Sequence, residues 1–264
     1  MTAPTGTTVT LAFDEVGSGP PLLILHGLLG QARNWASQAK LFGQHYRTLA
    51  VDLRNHGRSP WGPGMTYEDM AADVAALAEA VGPPVRIVGH SMGGKVTMVT
   101  ALKYPELVEK AVVVDISAIR HEHSPFYGYL EAMLALDLNS ITRRGQADRL
   151  LRDAISSDAE RAFLLLNLAA EADKGLRWKP NLQELYDRLA DILDWPDHLF
   201  DYQNPDPILF VAGGNSSYIQ DAHKPAIQRL FPQATYATIP DAGHWVHAEQ
   251  PQAFYRAVAD FLAD

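Results

Sequence analysis

The sequence predicts an α/β fold with a mainly parallel central sheet, flanked by helices and interrupted by an inserted helical cap. Short β-like runs alternate with helical patterns along most of the 264 residues, which is typical of parallel sheets with helices on both faces. From about Ile119 to Asp201 only helical stretches stand out, and after them the alternation resumes. We therefore expect one core in two segments, 1–117 and 203–264, with the cap at 118–202.

The first core segment contains apolar, β-branched runs that are bounded by turn residues and are typical of buried strands. Longer stretches between them carry apolar residues at helical spacing. The predicted strands cover residues 9–15, 22–25, 48–51, 85–88 and 111–114. The predicted helices cover residues 32–42, 67–81 and 95–104.

The cap and the second core segment follow different patterns. Within the cap we expect helices and no strand, with the helices at 129–136, 147–155 and 159–170. In the second core segment we expect strands at 207–211 and 235–239. A final helix at 251–262 begins with a proline, which is favoured in the first helical turn.

Charge and composition exclude several classes of function. The 22 basic and 31 acidic residues give a net charge of −9, which disfavours nucleic acids and anionic membranes as partners. The chain has no cysteine, so disulfides, thiolate catalysis and cysteine metal sites are excluded. No apolar run approaches the roughly 20 residues of a membrane span, and residues 1–10 lack the features of a secretory signal. We expect a cytoplasmic protein.

The segment Gly89-His90-Ser91-Met92-Gly93 lies directly between a predicted strand and a predicted helix. A serine lifted clear of a sheet requires a sharp turn in a strained conformation, and glycines two residues away on each side leave room for that turn. The helix that follows directs backbone N–H groups and the positive end of its dipole toward the serine. We therefore predict that Ser91 is a nucleophile.

A serine nucleophile needs a general base near neutral pH, and His244 is the predicted base. It follows the predicted strand at 235–239 in a short loop, which brings it to the sheet edge that also carries Ser91. His26 precedes Gly27 in a turn, and we expect it to order that loop instead.

The other histidines that we weighed are expected to have different roles. His90 is the sequence neighbour of the serine and is expected to point away from it. His121 and His123 could imitate a metal pair, but no third ligand is evident, so we predict no metal site. His247 lies three residues after the predicted base and is expected at the surface or at a helix cap.

The third member of such a triad is a carboxylate that orients the imidazole. In many hydrolases of this kind the acid follows the strand predicted here at 207–211, but residues 212–218 contain no acid. Asp115 directly follows the preceding predicted strand, at the same end of the sheet, and is the predicted acid. Asp221 and Asp241 remain alternatives, and a structural role for the predicted acid also remains open.

Acyl transfer further requires hydrogen-bond donors for the oxyanion, usually one N–H after the nucleophile and one from a loop after an early strand. The predicted donors are the backbone N–H groups of Met92 and Leu28. Because both donors belong to the backbone, we expect a change of the Leu28 side chain to alter the acyl pocket more than the oxyanion hole.

Five segments carry a resemblance to a known family: HGLLG at 26–30, DLRNHGRS at 52–59, GHSMGGK at 89–95, GGNS at 213–216 and GHWVHAE at 243–249. In these segments the chain resembles the YbfF-type esterases of the α/β-hydrolase superfamily. The resemblance spans most of the predicted core and is weaker in the cap. It implies the α/β-hydrolase fold and a small serine esterase whose acid follows the strand before the cap, the position of Asp115.

The resemblance also implies a possible fourth member of the catalytic group. In the family, the serine after Gly-Gly-Asn can join the hydrogen bonds of the acid and the histidine, and Ser216 stands at that position. The family often has proline at the next position, where this chain has Ser217.

The sequence thus predicts a serine carboxylesterase that hydrolyses small acyl esters through an acyl-enzyme, with no cofactor. An acyl-CoA thioesterase, a cofactor-free perhydrolase and a carbon–carbon hydrolase would use the same triad, and a ligand receptor could keep it without turnover. Epoxide hydrolases and dehalogenases are disfavoured because their nucleophile is an aspartate where this chain has Ser91.

Two further groups of residues complete the expectations. Residues 54–57 are expected to form a polar loop whose side chains hold neighbouring loops together. Several aromatic residues could line an acyl pocket between core and cap, although interior packing is the commoner role for any single one of them. They are Trp35, Phe126, Tyr127, Trp178 and Trp245.

Overall fold

The computed structural model describes residues 7–121, 124–171 and 175–263 and contains a central seven-stranded sheet. The strands of this sheet are β1 (Ala12–Val16), β2 (Pro21–Leu25), β3 (Arg47–Asp52), β4 (Val85–His90), β5 (Val108–Val114), β8 (Ile208–Gly213) and β9 (Ala234–Ile239). Their order across the sheet is β1-β3-β2-β4-β5-β8-β9. β1 pairs antiparallel with β3, and the other pairs are parallel. The predicted mainly parallel sheet is therefore confirmed.

Helices flank the sheet, as predicted. Those attached to it are α1 (Ala36–Phe42), α2 (Tyr67–Val81), α3 (Met92–Lys103), α9 (Lys224–Leu230), α10 (Val246–Glu249) and α11 (Pro251–Ala263). α2 occupies its predicted range because a capping box starts it, in which the side chains of Thr66 and Asp69 each accept the other's backbone N–H. Over the described residues, no helix has the length and apolar character needed to cross a membrane.

Two apolar cores lie on the two faces of the sheet. Because successive side chains of a strand point to opposite faces, Leu23 and Leu25 of β2 belong to the core that contains α2 and α3 residues. Leu22 and Ile24 belong to the core that contains α1 and α11 residues. All four side chains are fully buried. With both faces covered, the carboxyl edge of the parallel strands is left to carry the functional loops.

Between β5 and β8 lies a segment that we call the intervening segment, residues 118–202. Its helices are α4 (Phe126–Leu134), α5 (Arg144–Leu151), α6 (Asp158–Leu165), α7 (Leu182–Asp187) and α8 (Leu189–Leu193). It also contains an antiparallel hairpin of β6 (Leu168–Glu171) and β7 (Gly175–Trp178). The segment is therefore mainly, but not wholly, helical.

The first half of the predicted helix at 159–170 is present as α6, but its second half and the predicted absence of strands from this segment are wrong. α6 ends at Leu165, and Asn167 then accepts the backbone N–H of Lys179 at 2.9 Å across the base of the hairpin. Trp178 donates its indole N–H to a carbonyl oxygen of α4. The run of leucine and alanine here favours a helix locally, and tertiary contacts of this kind override that preference.

Candidate active site

Ser91 lies on a sharp turn between β4 and α3 at the carboxyl edge of the sheet. Its backbone has φ 52° and ψ −120°, a strained conformation that persists only when the surroundings hold it. A Cβ atom at Gly89 would lie 2.2 Å from the carbonyl oxygen of Gly93. A Cβ atom at Gly93 would lie 2.6 Å from the carbonyl oxygens of Leu25 and His26. The turn therefore requires glycine at both positions.

Asp115 follows β5, and its side chain is fully buried. Its Oδ2 atom accepts hydrogen bonds from His244 Nδ1 at 2.8 Å and from Ser216 Oγ at 2.5 Å. Its Oδ1 atom accepts the backbone N–H of Gly213 at 3.0 Å. Three donors fix the orientation of this carboxylate. A carboxylate can only accept a hydrogen bond. The imidazole nitrogen that faces it, Nδ1, is therefore assigned the proton.

The sheet explains how residues so distant in sequence meet. Ser91 follows β4, Asp115 follows β5, Ser216 follows β8 and His244 follows β9. These four strands are neighbours and run parallel, so the loops after them share one edge. The structure thus brings the four predicted side chains together at that edge.

The alternative acids lie elsewhere. The side chain of Asp221 is 94% exposed and pairs with Lys224 at 2.7 Å, which holds the pKa of that carboxyl below its usual range. Asp241 occupies an exposed turn with φ 58°. Among the described residues, Asp115 supplies the carboxylate that accepts a hydrogen bond from His244 Nδ1.

Two cavities open beside Ser91. The first is lined by both Ser91 and His244. The second is also lined by Ser91. Aromatic side chains form much of the wall of the first cavity: Trp35, Phe126, Phe163 and Trp245. Three of these four are among the predicted pocket aromatics.

The other two predicted pocket aromatics lie away from these cavities. Tyr127 is 40% exposed and contacts Tyr186 edge to face. Trp178 is buried inside the intervening segment, with its indole bonded to α4. Neither residue lines the two cavities beside Ser91, and the burial of Trp178 agrees with interior packing, the commoner role expected for each of these aromatics.

The loop after β2 approaches Ser91 through Gly27 and Leu28. A Cβ atom at Gly27 would lie 3.2 Å from the Cβ atom of Ser91, so this backbone packs against the nucleophile turn. Leu28 lines both cavities. Met92 is the first residue of α3, so its N–H has no intrahelical acceptor. The backbone of both predicted oxyanion donors therefore lies next to Ser91.

Leu29 has a positive φ of 58°, and side chains hydrogen-bond both of its backbone polar groups. Its N–H donates to Nε2 of His56 at 3.1 Å, and its carbonyl oxygen accepts the side-chain amide of Asn167 at 2.7 Å. In the same loop His26 Nε2 accepts the backbone N–H of Leu53 at 3.0 Å. The loop-ordering role predicted for His26 is confirmed.

The histidines that hold this loop are neutral. Burial lowers the pKa of His26, and burial with the neighbouring His26 ring lowers the pKa of His56 to about 3. Each ring accepts a backbone N–H at Nε2 and donates Nδ1–H to a carbonyl oxygen, that of Gly27 or of Arg54. The two rings therefore fasten the loop without placing charge beside Ser91.

His90 and His247 lie near the candidate base. His90 donates Nε2–H to the backbone carbonyl of His244 at 2.8 Å and lines the first cavity with Ser91, so it does not point away from the site. His247 is 8% exposed and stacks on Trp35 with ring centroids 3.8 Å apart. Its predicted surface or cap position is wrong, because α10 turns the ring into the core.

These two rings are also uncharged. Burial is the main cause that lowers the pKa of His90 well below its usual range. Burial and the nearby His244 lower the pKa of His247 to about 3. The surroundings of His244 therefore contain imidazoles that accept no proton near pH 7.

Residues 54–57 form a buried network. Arg54 binds the carboxylate of Asp73 through two donors, at 2.6 and 2.8 Å. Asn55 bonds both backbone polar groups of Gly62. Gly57 has φ 55°, and a Cβ atom there would lie 2.2 Å from the carboxyl of Asp52. These contacts agree with the structural role expected for the segment.

The histidine pair weighed as a metal site falls partly outside the described residues. His121 lines the second cavity, and His123 lies outside the described ranges. Within those ranges, no group of three metal-ligating side chains is present.

Sequence reasoning missed several residues of the site. Tyr218 stacks on the imidazole of His244 with ring centroids 4.1 Å apart. Phe163 lines the first cavity from α6, and Asn167 holds the loop after β2. Tyr218 stands two residues after Ser216, which is the one local signal for its position. The other two contacts depend on how the intervening segment packs.

Comparisons with known proteins agree with this fold. The chain matches the family model for the α/β hydrolase fold over residues 20–251. It is 42% identical over 259 residues to the sn-1-specific diacylglycerol lipase ABHD11 of Danio rerio, covering 95% of this chain and 80% of that protein. It is 31% identical to Esterase YbfF of Escherichia coli (strain K12), covering 92% and 93% of the two chains.

A solved structure gives the same result. The chain matches a marine microorganism esterase with a TM-score of 0.91 and 35% sequence identity, over 96% of this chain and 100% of the other. The matched relatives include enzymes named as esterases and lipases. The protein belongs to the α/β-hydrolase family and is a hydrolase of the carboxylic-ester type.

Proposed function

We propose that the protein is a serine carboxylesterase in which Ser91 is the nucleophile, His244 is the general base and acid, and Asp115 orients His244. The observation that carries this proposal is the 2.8 Å hydrogen bond from His244 Nδ1 to buried Asp115, beside a cavity that Ser91 and His244 line together. A serine next to an oriented imidazole is the arrangement that nucleophilic acyl transfer requires.

In the first half-reaction, Ser91 Oγ attacks the carbonyl carbon of the ester while its proton passes to His244 Nε2. The carbonyl oxygen becomes an oxyanion, and the backbone N–H groups of Leu28 and Met92 stabilise its charge. The bond from the carbonyl carbon to the alcohol oxygen then breaks, and His244 returns its proton to that oxygen. The products are the free alcohol and an acyl group on Ser91.

In the second half-reaction, water replaces the alcohol. His244 takes one proton from the water as its oxygen attacks the acyl carbon. The same two N–H groups stabilise the second oxyanion. The bond to Ser91 Oγ breaks, and His244 returns the proton to that oxygen. The carboxylic acid leaves, and the enzyme regains its starting state without any cofactor.

Ser216 acts as a positioning residue in this scheme. Its hydroxyl donates to the Asp115 oxygen that also accepts from His244. Ser216 therefore helps to keep the Asp115 carboxylate correctly turned while the imidazole gains and loses its proton.

The intervening segment, residues 118–202, acts as a cap in this proposal. Its Phe126 and Phe163 line the first cavity together with Trp35 and Trp245 of the rest of the chain. Apolar walls with a few convergent polar groups are typical of small-molecule sites. The substrate is therefore a small ester whose apolar part is enclosed between the cap and the sheet edge.

The test is hydrolysis of 4-nitrophenyl esters from acetate to palmitate by wild type, Ser91→Ala, His244→Ala and the double variant. We expect Ser91→Ala to lower kcat by about 10⁴-fold or more, and the double variant to be no worse, because triad members act as a unit. A rate that survives Ser91→Ala, or losses that multiply in the double variant, would contradict the proposal.

Acyl-CoA thioesters belong in the same experiment, because the same residues would cleave a thioester. A higher kcat/KM on acyl-CoA than on every oxygen ester would make the protein a thioesterase. Tight binding of these compounds without release of any acid would instead favour a receptor that has kept the triad.

A further inference from the structure

We propose that the second cavity beside Ser91 binds the acyl half of the ester and that His121 recognises a hydroxyl group on that acyl chain. The substrates are then hydroxyacyl esters rather than esters of plain fatty acids. This inference rests on the proposed function, because it assigns the two halves of the ester to the two cavities.

The two cavities share Leu28, Ser91 and Phe126 in their walls and extend from Ser91 past different residues. The first is lined by Trp35, which belongs to the core that contains α1 and α11 residues. The second is lined by Tyr67 and Met92, which belong to the core that contains α2 and α3 residues. An ester attacked by Ser91 has two substituents, and the two cavities give each substituent its own site.

The position of His244 decides which half lies in which cavity. Its side chain lines the first cavity. Because the leaving alcohol oxygen takes its proton from His244, the alcohol half lies in that cavity. The oxyanion faces the N–H groups of Leu28 and Met92, so the acyl chain takes the remaining direction, into the second cavity.

Most polar groups in the wall of the second cavity are already bonded within the protein. Tyr67 donates its hydroxyl to a backbone carbonyl oxygen. Lys95 Nζ donates to three backbone carbonyl oxygens, at 2.7, 2.9 and 3.3 Å. Ser124 Oγ accepts a backbone N–H at 3.3 Å. The rest of the wall includes apolar side chains such as Ile116, Ile192 and Leu193.

His121 differs from these groups. Its Nε2 atom is buried, and within the described ranges it has no hydrogen-bond partner, while the residue lines the second cavity. Burial lowers the pKa of this imidazole to about 4, so the ring is neutral near pH 7. Leaving a buried polar atom unpaired destabilises a protein. A substrate hydroxyl would satisfy Nε2 in either tautomer, because a hydroxyl both donates and accepts.

The protein holds the His121 ring in place. Its backbone N–H donates to the carbonyl oxygen of Leu193 at 2.9 Å. Its ring contacts Tyr218, with centroids 5.1 Å apart, and Tyr218 in turn stacks on His244. The position of His121 is therefore coupled to the wall of the catalytic site, as recognition of a bound acyl chain requires.

The test compares kcat/KM for ethyl hexanoate with that for the ethyl hydroxyhexanoates that carry the hydroxyl at carbons 2, 3, 4, 5 and 6. For wild type we expect at least one hydroxy ester to exceed hexanoate by about 10-fold, the effect of one buried hydrogen bond. His121→Leu should abolish this preference, and His121→Gln, which keeps a hydrogen-bonding group, should restore part of it. His198→Leu is the matched control, because His198 is half-exposed and pairs with Glu68.

Each other outcome overturns a part of the inference. If wild type prefers no hydroxy ester, or if His121→Leu keeps the preference, His121 does not recognise the hydroxyl. If His121→Leu instead removes a preference for 4-hydroxybutyl hexanoate over pentyl hexanoate, the two halves of the ester are assigned to the wrong cavities. Failure of the proposed function has a different signature, which is hydrolysis of ethyl hexanoate that survives Ser91→Ala.

Discussion

Ser91 and Asp115 both have positive φ angles, 52° and 49°. Such a conformation costs about 1–3 kcal/mol for a residue with a side chain, so surrounding contacts must hold it. The described non-glycine residues with positive φ all lie in loops after strands at the carboxyl edge: Leu29, Asn55, Ser91, Asp115 and Asp241. Strain is thus concentrated where the candidate catalytic groups must be positioned before substrate binds.

At the level of single residues, the first prediction concerns the acid. Asp115→Asn should lower kcat by about 10⁴-fold, because an amide at this position favours the wrong tautomer of the base. The measurements are kcat on 4-nitrophenyl butyrate and thermal unfolding, which should remain cooperative. Asp221→Asn is the matched control, since that carboxylate is exposed and pairs with Lys224. A larger loss of kcat in Asp221→Asn than in Asp115→Asn would identify Asp221 as the acid.

The roles of these residues could be predicted from the sequence with unequal success. Ser91 could be predicted because its turn needs glycines at fixed local positions. Asp115 could be selected only by elimination and by family resemblance, since its bond to His244 joins residues 129 apart in sequence. The sequence predicts His247 at the surface or at a helix cap, and its stacking on Trp35 depends on how α10 packs against the sheet.

At the level of elements, the hairpin of β6 and β7 is fastened to the loop after β2. Asn167, next to β6, donates to the carbonyl oxygen of Leu29 at 2.7 Å. Lys179, directly after β7, donates to the side chain of Gln31 at 2.8 Å. The intervening segment thus holds the loop whose Leu28 N–H is a candidate oxyanion donor.

Asn167→Ala should therefore lower kcat on 4-nitrophenyl butyrate by about 10-fold and change KM little. Complete loss of an oxyanion donor costs about 10²–10³ in kcat, and loosening of the loop should cause part of that loss. Asn139→Ala is the control, because Asn139 is exposed on the same segment. A rise in KM at unchanged kcat would show that Asn167 shapes the binding cavity instead of positioning the donor.

The elements themselves were predicted unevenly. The central strands and α2 could be predicted because apolar runs, turn residues and a capping box act locally. The hairpin could not, because the leucine and alanine residues of 164–170 favour a helix. Bonds from outside the hairpin oppose that preference, such as the one from the Arg144 guanidinium to the carbonyl oxygen of Leu168 at 3.0 Å. Local patterns therefore describe the core better than the intervening segment.

At the level of the whole molecule, folding buries neutral histidines in separate regions. Burial is the largest cause that lowers the pKa of His56 and His247 to about 3 and the pKa of His121 to about 4. One ring lies after β3, one in α10 and one in the intervening segment. Protonation of any of them would place an uncompensated charge in the interior, which links stability to pH.

The sign of this dependence follows from the depressed pKa values. The ordinary pKa of a histidine is 6.5. As the pH falls below this value, the unfolded chain binds protons at these rings while the folded chain does not. Their contribution to stability is therefore complete above pH 6.5 and is lost as pH falls toward 4, by about 1.4 kcal/mol per pH unit for each of the two most deeply buried rings, those of His56 and His247.

His247→Phe keeps an aromatic ring against Trp35 and removes one of these titrating groups. Between pH 6 and 4 we expect the free energy of unfolding of this variant to depend on pH less steeply than that of wild type, by about 1.4 kcal/mol per pH unit. Urea unfolding over that range measures both slopes. His45→Phe is the matched control, because it makes the same substitution at an exposed position. Parallel curves for wild type and His247→Phe would mean that the folded protein protonates His247, and that burial does not keep this ring neutral.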